Sequence, residues 1–164
     1  MKTSSGTAKL TLPTDDQIKI EREFAAPKHL VYKALTTPEL VKRWWNAKRG
    51  VVTVAEIDLR VGGKWRYVIE ADSGPEVGFH GEYLEIVSDE RIVSTEAYEG
   101  IPNADEYATT NTMTLADLGD GRTTMTVLVQ CPSAETRNAI VESGMEAGMQ
   151  DAYDLLEEVA ISLS

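Results

Sequence analysis

The stretch PSAETRNAIVESGMEAGMQDAYDLLEEVAISLS (residues 132–164) predicts a long terminal helix that covers a sheet. Pro132 ends the strand before it, and Ser133 is a residue type that caps helix N-termini. Gly144 and Gly148 each cost about 1 kcal/mol relative to alanine inside a helix. We therefore expect a break, or a close approach to the sheet, at these glycines. The apolar residues recur at helical spacing, namely Val141, Met145, Met149, Ala152, Leu156, Val159 and Leu163.

Six turn-separated runs between residues 51 and about 130 predict an antiparallel meander. The sequences RVGG, DSGPE, SDE and GDG mark turns between runs such as KWRYVIEA and RTTMTVLVQ. IKIEREFAA (18–26) adds a seventh strand, because apolar and charged residues alternate in it apart from Arg22. A sheet with one apolar face needs a cover, and the terminal helix is the candidate.

Two short helices are predicted after the first strand, over residues 27–45. The second, in TTPELVKRWW (36–45), places Leu40 below Trp44 and Val41 below Trp45 at i,i+4 spacing. Both tryptophans then belong to its apolar face. We expect them to close one end of the space between sheet and helix.

Charge and composition exclude several classes of function. The chain has 164 residues and a formal net charge of −11, which opposes binding to nucleic-acid phosphates and to anionic membranes. One cysteine and two histidines are too few for a thiol metal cluster or an all-histidine zinc site, and we expect neither a metal nor a cofactor. No apolar run of signal-peptide or membrane-spanning length occurs, so we expect a cytoplasmic protein. Residues 1–16 are expected to form a mobile arm before a single domain over 17–164.

These elements predict an α+β fold, with a curved seven-stranded antiparallel sheet wrapped around the C-terminal helix. The segments TTPELVKRWW, DLRVGGKWRY, FHGEYLEI, ERIVSTEAYEG and SGMEAGMQDAYDLLEEVA occur in this order. In that order they resemble the family of homologues of the activator of the heat-shock protein 90 ATPase. That family belongs to the START-like (SRPBCC) helix-grip superfamily, which includes the birch pollen allergen and polyketide cyclases. The resemblance covers roughly residues 18–163 and implies the helix-grip (Bet v 1-like) fold.

Eight residues are candidates for the lining of a ligand cavity. Trp65 and Tyr67 share one face of a strand and form either ordinary core or an aromatic wall. His80 and Glu96 are polar residues in apolar strand contexts. If both faced inward, they could pair as a polar anchor or act as acid and base. Methionine suits a cavity that accepts varied apolar ligands, although core packing explains it equally. The other candidates are Trp45, Met113, Met145 and Met149.

The leading functional hypothesis is non-enzymatic binding of a small apolar or aromatic molecule between the sheet and the C-terminal helix. A protein-interaction module that stimulates a chaperone ATPase in a stress response is implied by the resemblance alone. A cavity enzyme of cyclase or hydrolase type is the third alternative. A binder requires an enclosed apolar cavity, an interaction module an exposed apolar patch, and an enzyme converging titratable groups.

Overall fold

A computed structural model describes residues 6–46 and 48–164 of the chain. It shows the expected α+β helix-grip fold, in which an antiparallel sheet packs against a C-terminal helix. In chain order the elements are β1 (Lys9–Thr11), β2 (Gln17–Phe24), α1 (Lys28–Thr36), α2 (Pro38–Trp44), β3 (Gly50–Ile57), β4 (Lys64–Ala71), β5 (Glu76–Val87), β6 (Arg91–Tyr98), a 3₁₀ helix (Ala104–Tyr107), β7 (Thr109–Gly119), β8 (Arg122–Gln130), α3 (Ala134–Glu142) and α4 (Met145–Ser162).

The sheet has the strand order β1-β2-β8-β7-β6-β5-β4-β3. The six strands predicted between residues 51 and 130 are confirmed as the meander β3 to β8. β2 closes against β8, so that Gln17 lies opposite Gln130 and Phe24 opposite Thr123.

Within the described residues the sheet has eight strands where seven were expected, because β1 pairs with the outer edge of β2. β1 falls within the predicted N-terminal arm, and Ala8 beside it is buried. Residues 1–5 of that arm lie outside the described residues. The mobility of the arm and the domain boundary after residue 16 stay predictions.

The terminal helix is divided in two, in place of the single helix expected from residue 133 onward. The Ser133 hydroxyl caps α3 by accepting the Thr136 N–H at 3.1 Å. Gly144 then adopts φ 83°, a left-handed conformation that glycine reaches without steric cost, and α4 begins at the next residue. The division therefore falls at one of the two glycines at which a break was expected. The buried face of α4 contains Met149, Ala152, Leu156, Val159 and Ala160.

Arg22 interrupts the apolar alternation of β2 because it forms a buried ion pair with α4. Its side chain is on the inner face and the residue is only 1% exposed. One guanidinium nitrogen lies 2.8 Å from an Asp154 carboxylate oxygen and 3.4 Å from one of Glu157. The other Glu157 oxygen accepts the Ala25 N–H at 2.8 Å. A charged network therefore fixes α4 on β2.

Candidate functional site

The adjacent tryptophans have different environments. Trp44 is 6% exposed and its indole N–H donates to the Ala34 carbonyl of α1 at 2.9 Å, so it packs in the helix interface. Trp45 follows the last residue of α2 as its C-cap and is only partly buried. Its ring meets Tyr67 of β4 at a centroid distance of 5.4 Å and Phe79 of β5 at 5.7 Å, both edge-on. Trp45 is therefore an aromatic contact between α2 and the sheet.

Trp65 is fixed on the inner face of β4 by a contact that crosses β5. Its indole N–H donates to the Thr95 carbonyl of β6 at 3.2 Å. The intervening strand has Gly81 at this point, and a Cβ there would lie 2.6 Å from the indole nitrogen. The glycine thus provides the room that the indole occupies. Tyr67 lies beside Trp65, with ring centroids 4.8 Å apart.

These rings form a continuous aromatic row, defined as Trp65, Tyr67, Trp45, Phe79 and Tyr98. Phe79 and Tyr98 face each other across β5 and β6, with centroids 5.3 Å apart. Tyr98 is 41% exposed, whereas Trp65 at the opposite end is buried. The row therefore runs from the core to the surface along the inner face of the sheet.

Glu96 lies on the same inner face, in β6, and a short polar chain fixes its carboxyl group. The Asn111 amide donates to Glu96 Oε1 at 3.0 Å, and the Thr109 hydroxyl donates to Asn111 Oδ1 at 2.9 Å. Burial raises the pKa of Glu96, and the Asn111 hydrogen bond partly opposes that rise. The second oxygen, Oε2, accepts no hydrogen bond from the described residues.

Two tyrosines lie near this carboxyl group, one from the sheet and one from α4. Burial raises the pKa of Tyr67, with smaller contributions from Tyr83 and from the charge of Glu96. Burial likewise raises the pKa of Tyr153, and the charge of Glu96 adds to the rise. Tyr153 also packs edge-on against Phe24 at 6.2 Å. We refer to Glu96, Asn111, Tyr67 and Tyr153 as the Glu96 site.

The hypothetical pairing of His80 with Glu96, which required both to face inward, is wrong, because His80 lies on the outer face of the sheet. His80 was grouped with Leu84 and Ile86 by strict alternation along β5. A β-bulge between Tyr83 and Glu85 breaks that alternation. Ile86 therefore packs on the inner core, whereas His80 stays outside and cannot meet Glu96.

On the outer face, His80 joins the 3₁₀ helix to the sheet. Its Nδ1 lies 2.8 Å from a Glu99 oxygen and its Nε2 lies 2.9 Å from an Asp105 oxygen. These hydrogen bonds, first to Asp105 and then to Glu99, raise the pKa of His80. Arg66 pairs with the other Glu99 oxygen at 2.9 Å and is the main reason that the pKa of Glu99 is lowered.

The three methionines that were predicted to line the cavity belong to two different apolar clusters. Met113 on β7 packs against the main core, which also contains the aromatic row from Trp65 to Phe79. Met145 and Met149 belong to a second apolar cluster, with Ile18 and Ile20 of β2. The structure therefore places Met113, but not the two α4 methionines, in the same cluster as the aromatic row.

Three residues of this region were absent from the sequence-based candidates, namely Phe79, Asn111 and Tyr153. Tyr153 lies four residues after Met149 on the apolar stripe of α4, so helical spacing could have indicated it. Phe79 has the same parity as Tyr83, but the nearby bulge hides that pattern. Asn111 required the pairing of β6 with β7, in which it lies opposite Ser94.

None of the described helices is long and apolar enough to span a bilayer. Among residues 6–46 and 48–164, no three His, Cys, Asp or Glu side chains are grouped as metal ligands would be.

Comparisons with known proteins identify the family. A family model described as "Activator of Hsp90 ATPase homolog 1-like protein" matches residues 25–160. A comparison with curated proteins found no match. A Rhodobacter sphaeroides crystal structure is similar to this chain at 25% identity and a TM-score of 0.85, covering 96% of this chain and 99% of its own. A Chromobacterium violaceum protein is similar at 29% identity and a TM-score of 0.76, covering 90% and 98%. The chain therefore belongs to the family of Activator of Hsp90 ATPase homolog 1-like proteins.

Proposed function

We propose that this protein binds a small apolar or aromatic molecule, without converting it, between the inner face of the sheet and α4. One observation carries the proposal. Several side chains between the inner face of the sheet and the helices keep part of their surface accessible. A fully packed core would bury them completely. Their neighbours Leu156 and Trp65 are buried. The partly accessible side chains are Trp45, Tyr67, Phe79, Glu96, Asn111, Met113 and Tyr153.

The chemistry of this lining suits an apolar guest. Aromatic rings and a methionine provide most of the surface, and one carboxyl group with its amide partner provides polarity. The aromatic row also ends at the exposed Tyr98, which supports a route from solvent to the interior at that end of β6.

Binding is favoured over catalysis by the ionisation of the site. His80 and Glu96, which could have acted as acid and base if both had faced inward, belong to separate clusters on opposite faces of the sheet. Tyr67 and Tyr153 are protonated at neutral pH even with an ordinary tyrosine pKa of about 10, and burial raises the pKa of each further. A general base needs a pKa near the working pH, and neither tyrosine meets this requirement.

Nuclear magnetic resonance with toluene as a neutral apolar probe tests the proposal. We expect saturable shifts of the Trp45 indole N–H and the Met113 methyl signals. Met113→Trp should abolish these shifts, because the larger side chain occupies the proposed space. Tyr107→Ala is the matched control, since Tyr107 is 50% exposed and lies in the 3₁₀ helix.

Absence of saturable shifts, or identical shifts in Met113→Trp, would contradict binding in this space. Stimulation of a chaperone ATPase, which the family description suggests, would then be the function to assay. Native mass spectrometry of the protein purified from its natural host complements the probe. An additional mass lost on denaturation would reveal a retained small molecule.

A further inference from the structure

The Glu96 carboxyl group is an acceptor whose capacity the protein leaves partly unused. A carboxylate offers about four lone-pair positions. Asn111 occupies one position on Oε1, and the described residues provide no donor to Oε2. Glu96 is only partly buried, and its Oε2 atom is not closed off from solvent. Oε2 is therefore accessible to a donor from a ligand, on the face of the sheet where the ligand is proposed to bind.

The protein holds this carboxyl group in a fixed orientation. Thr109 orients the Asn111 amide, and that amide in turn donates to Glu96. Both partners come from β7, the strand paired with β6. No Lys, Arg or His in the described part of the chain forms an ion pair with Glu96. When ionised, Glu96 is thus an oriented acceptor to which the described residues supply no cation, and a bound cation would favour the ionised form against the rise in pKa that burial causes.

The aromatic surroundings are also suited to positive charge. Tyr67 lies on the inner face of the sheet, as Glu96 does, and Trp45 at the end of α2 packs edge-on against Tyr67 with ring centroids 5.4 Å apart. Ring faces attract an ammonium group, most strongly where water is excluded. An anionic ligand would be repelled by Glu96 and by the net charge of −11. A purely apolar ligand would cover Oε2 without supplying a donor, and an acceptor closed off in this way is costly.

We propose that the ligand of the Glu96 site is a small amine, in which a protonated nitrogen is attached to an apolar, aromatic body. The nitrogen donates to Glu96 Oε2, and the body lies along Tyr67 and Trp45. This inference rests on the binding function proposed above and adds the charge class of the ligand.

Isothermal titration calorimetry with three probes of one shape tests the inference. Phenethylamine is cationic at neutral pH, phenethyl alcohol is neutral and phenylacetate is anionic. We expect the amine to bind about tenfold or more tightly than the alcohol, as for a charge-assisted hydrogen bond. Phenylacetate should bind most weakly of the three.

Glu96→Gln keeps the shape of the side chain and removes its charge, so it should remove the preference for the amine and leave the alcohol nearly unchanged. Glu99→Gln is the matched control, because Glu99 is a nearby carboxylate on the outer face. The wild-type comparison of the three probes needs no variant, so it stands even if Glu96→Gln fails to fold.

The inference is overturned if the amine and the alcohol bind wild-type protein equally, or if Glu96→Gln weakens both to the same extent. Saturable toluene binding would in that case leave the proposed function standing. If toluene also fails to bind, the proposed function fails, and the inference fails with it.

Discussion

Replacing each of the two adjacent tryptophans with alanine should cost different amounts of unfolding free energy, because Trp44 is a core residue and Trp45 belongs to the proposed binding region. Trp44→Ala removes a ring that is 6% exposed and a hydrogen bond to Ala34. Loss of a buried Trp side chain typically costs about 3–5 kcal/mol. For a chain of this size, that loss lowers the melting temperature by about 6–20 °C. Trp45→Ala should cost only about 1–2 kcal/mol, because part of its ring stays accessible in the folded protein.

Urea unfolding followed by far-ultraviolet circular dichroism measures both losses without relying on tryptophan fluorescence. If the slope of the unfolding free energy against urea concentration is the same in each variant and in the wild type, the folded and unfolded states being compared are the same. Trp44→Phe provides an intermediate case, because it keeps most of the ring and removes the donor to Ala34, at about 1 kcal/mol for the hydrogen bond. If Trp45→Ala costs as much as Trp44→Ala, the assignment of Trp45 to a partly open region is refuted.

Three further outcomes follow from close contacts elsewhere. Gly81→Ala should destabilise the protein by about 1–3 kcal/mol in urea unfolding, because its Cβ would lie 1.8 Å from the Thr95 carbonyl oxygen. Gly78→Ala should cost less, because its Cβ would crowd only the flexible end of the Glu99 side chain and would meet Val68 at an ordinary 3.5 Å. The reverse order would contradict this account. Glu157→Ala should cost about 3–5 kcal/mol by the same assay, since it takes a partner from the buried arginine of β2; a loss below about 1 kcal/mol would contradict the buried network. The pKa of His80, measured by a nuclear magnetic resonance titration, should lie above the ordinary histidine value of about 6.5. The contribution of His80 to stability is therefore fully present below about pH 6.5 and is lost as the pH rises through the pKa of the folded state. A titration midpoint at or below about 6.5 would contradict the two hydrogen bonds.

The fold was accessible from sequence because its elements have clear periods. Leu156 and Val159 repeat at helical spacing, and the turn sequences separate strands that pair with their neighbours in the chain. β1 was harder to predict because three residues give little alternation. It is visible in the structure through its pairing with β2.

The site was less accessible, because one residue of strand register decides which side chains meet. Strict alternation placed His80 on the same face as Ile86, but the bulge after Tyr83 lies between them, so the two residues are on opposite faces. The hydrogen-bond partner of Glu96 is Asn111 instead of His80. That partner, Asn111, lies in another strand, and nothing in the local sequence of either residue indicates the contact. Trp65 and Tyr67 were easier to predict, since β4 alternates without interruption between them.

The pairing of β2 with β8 sets the order in which the protein can assemble during synthesis. β3 to β8 pair as consecutive neighbours, so each hairpin can close soon after its second strand leaves the ribosome. β2 emerges early, yet its pairing partner is residues 122–130. Arg22 must wait longer still, because Asp154 and Glu157 are 132 and 135 residues away. The nascent chain therefore exposes the apolar face of β2 until residues 145–162 have been synthesised, and a chain truncated before α4 would have a sheet without its cover.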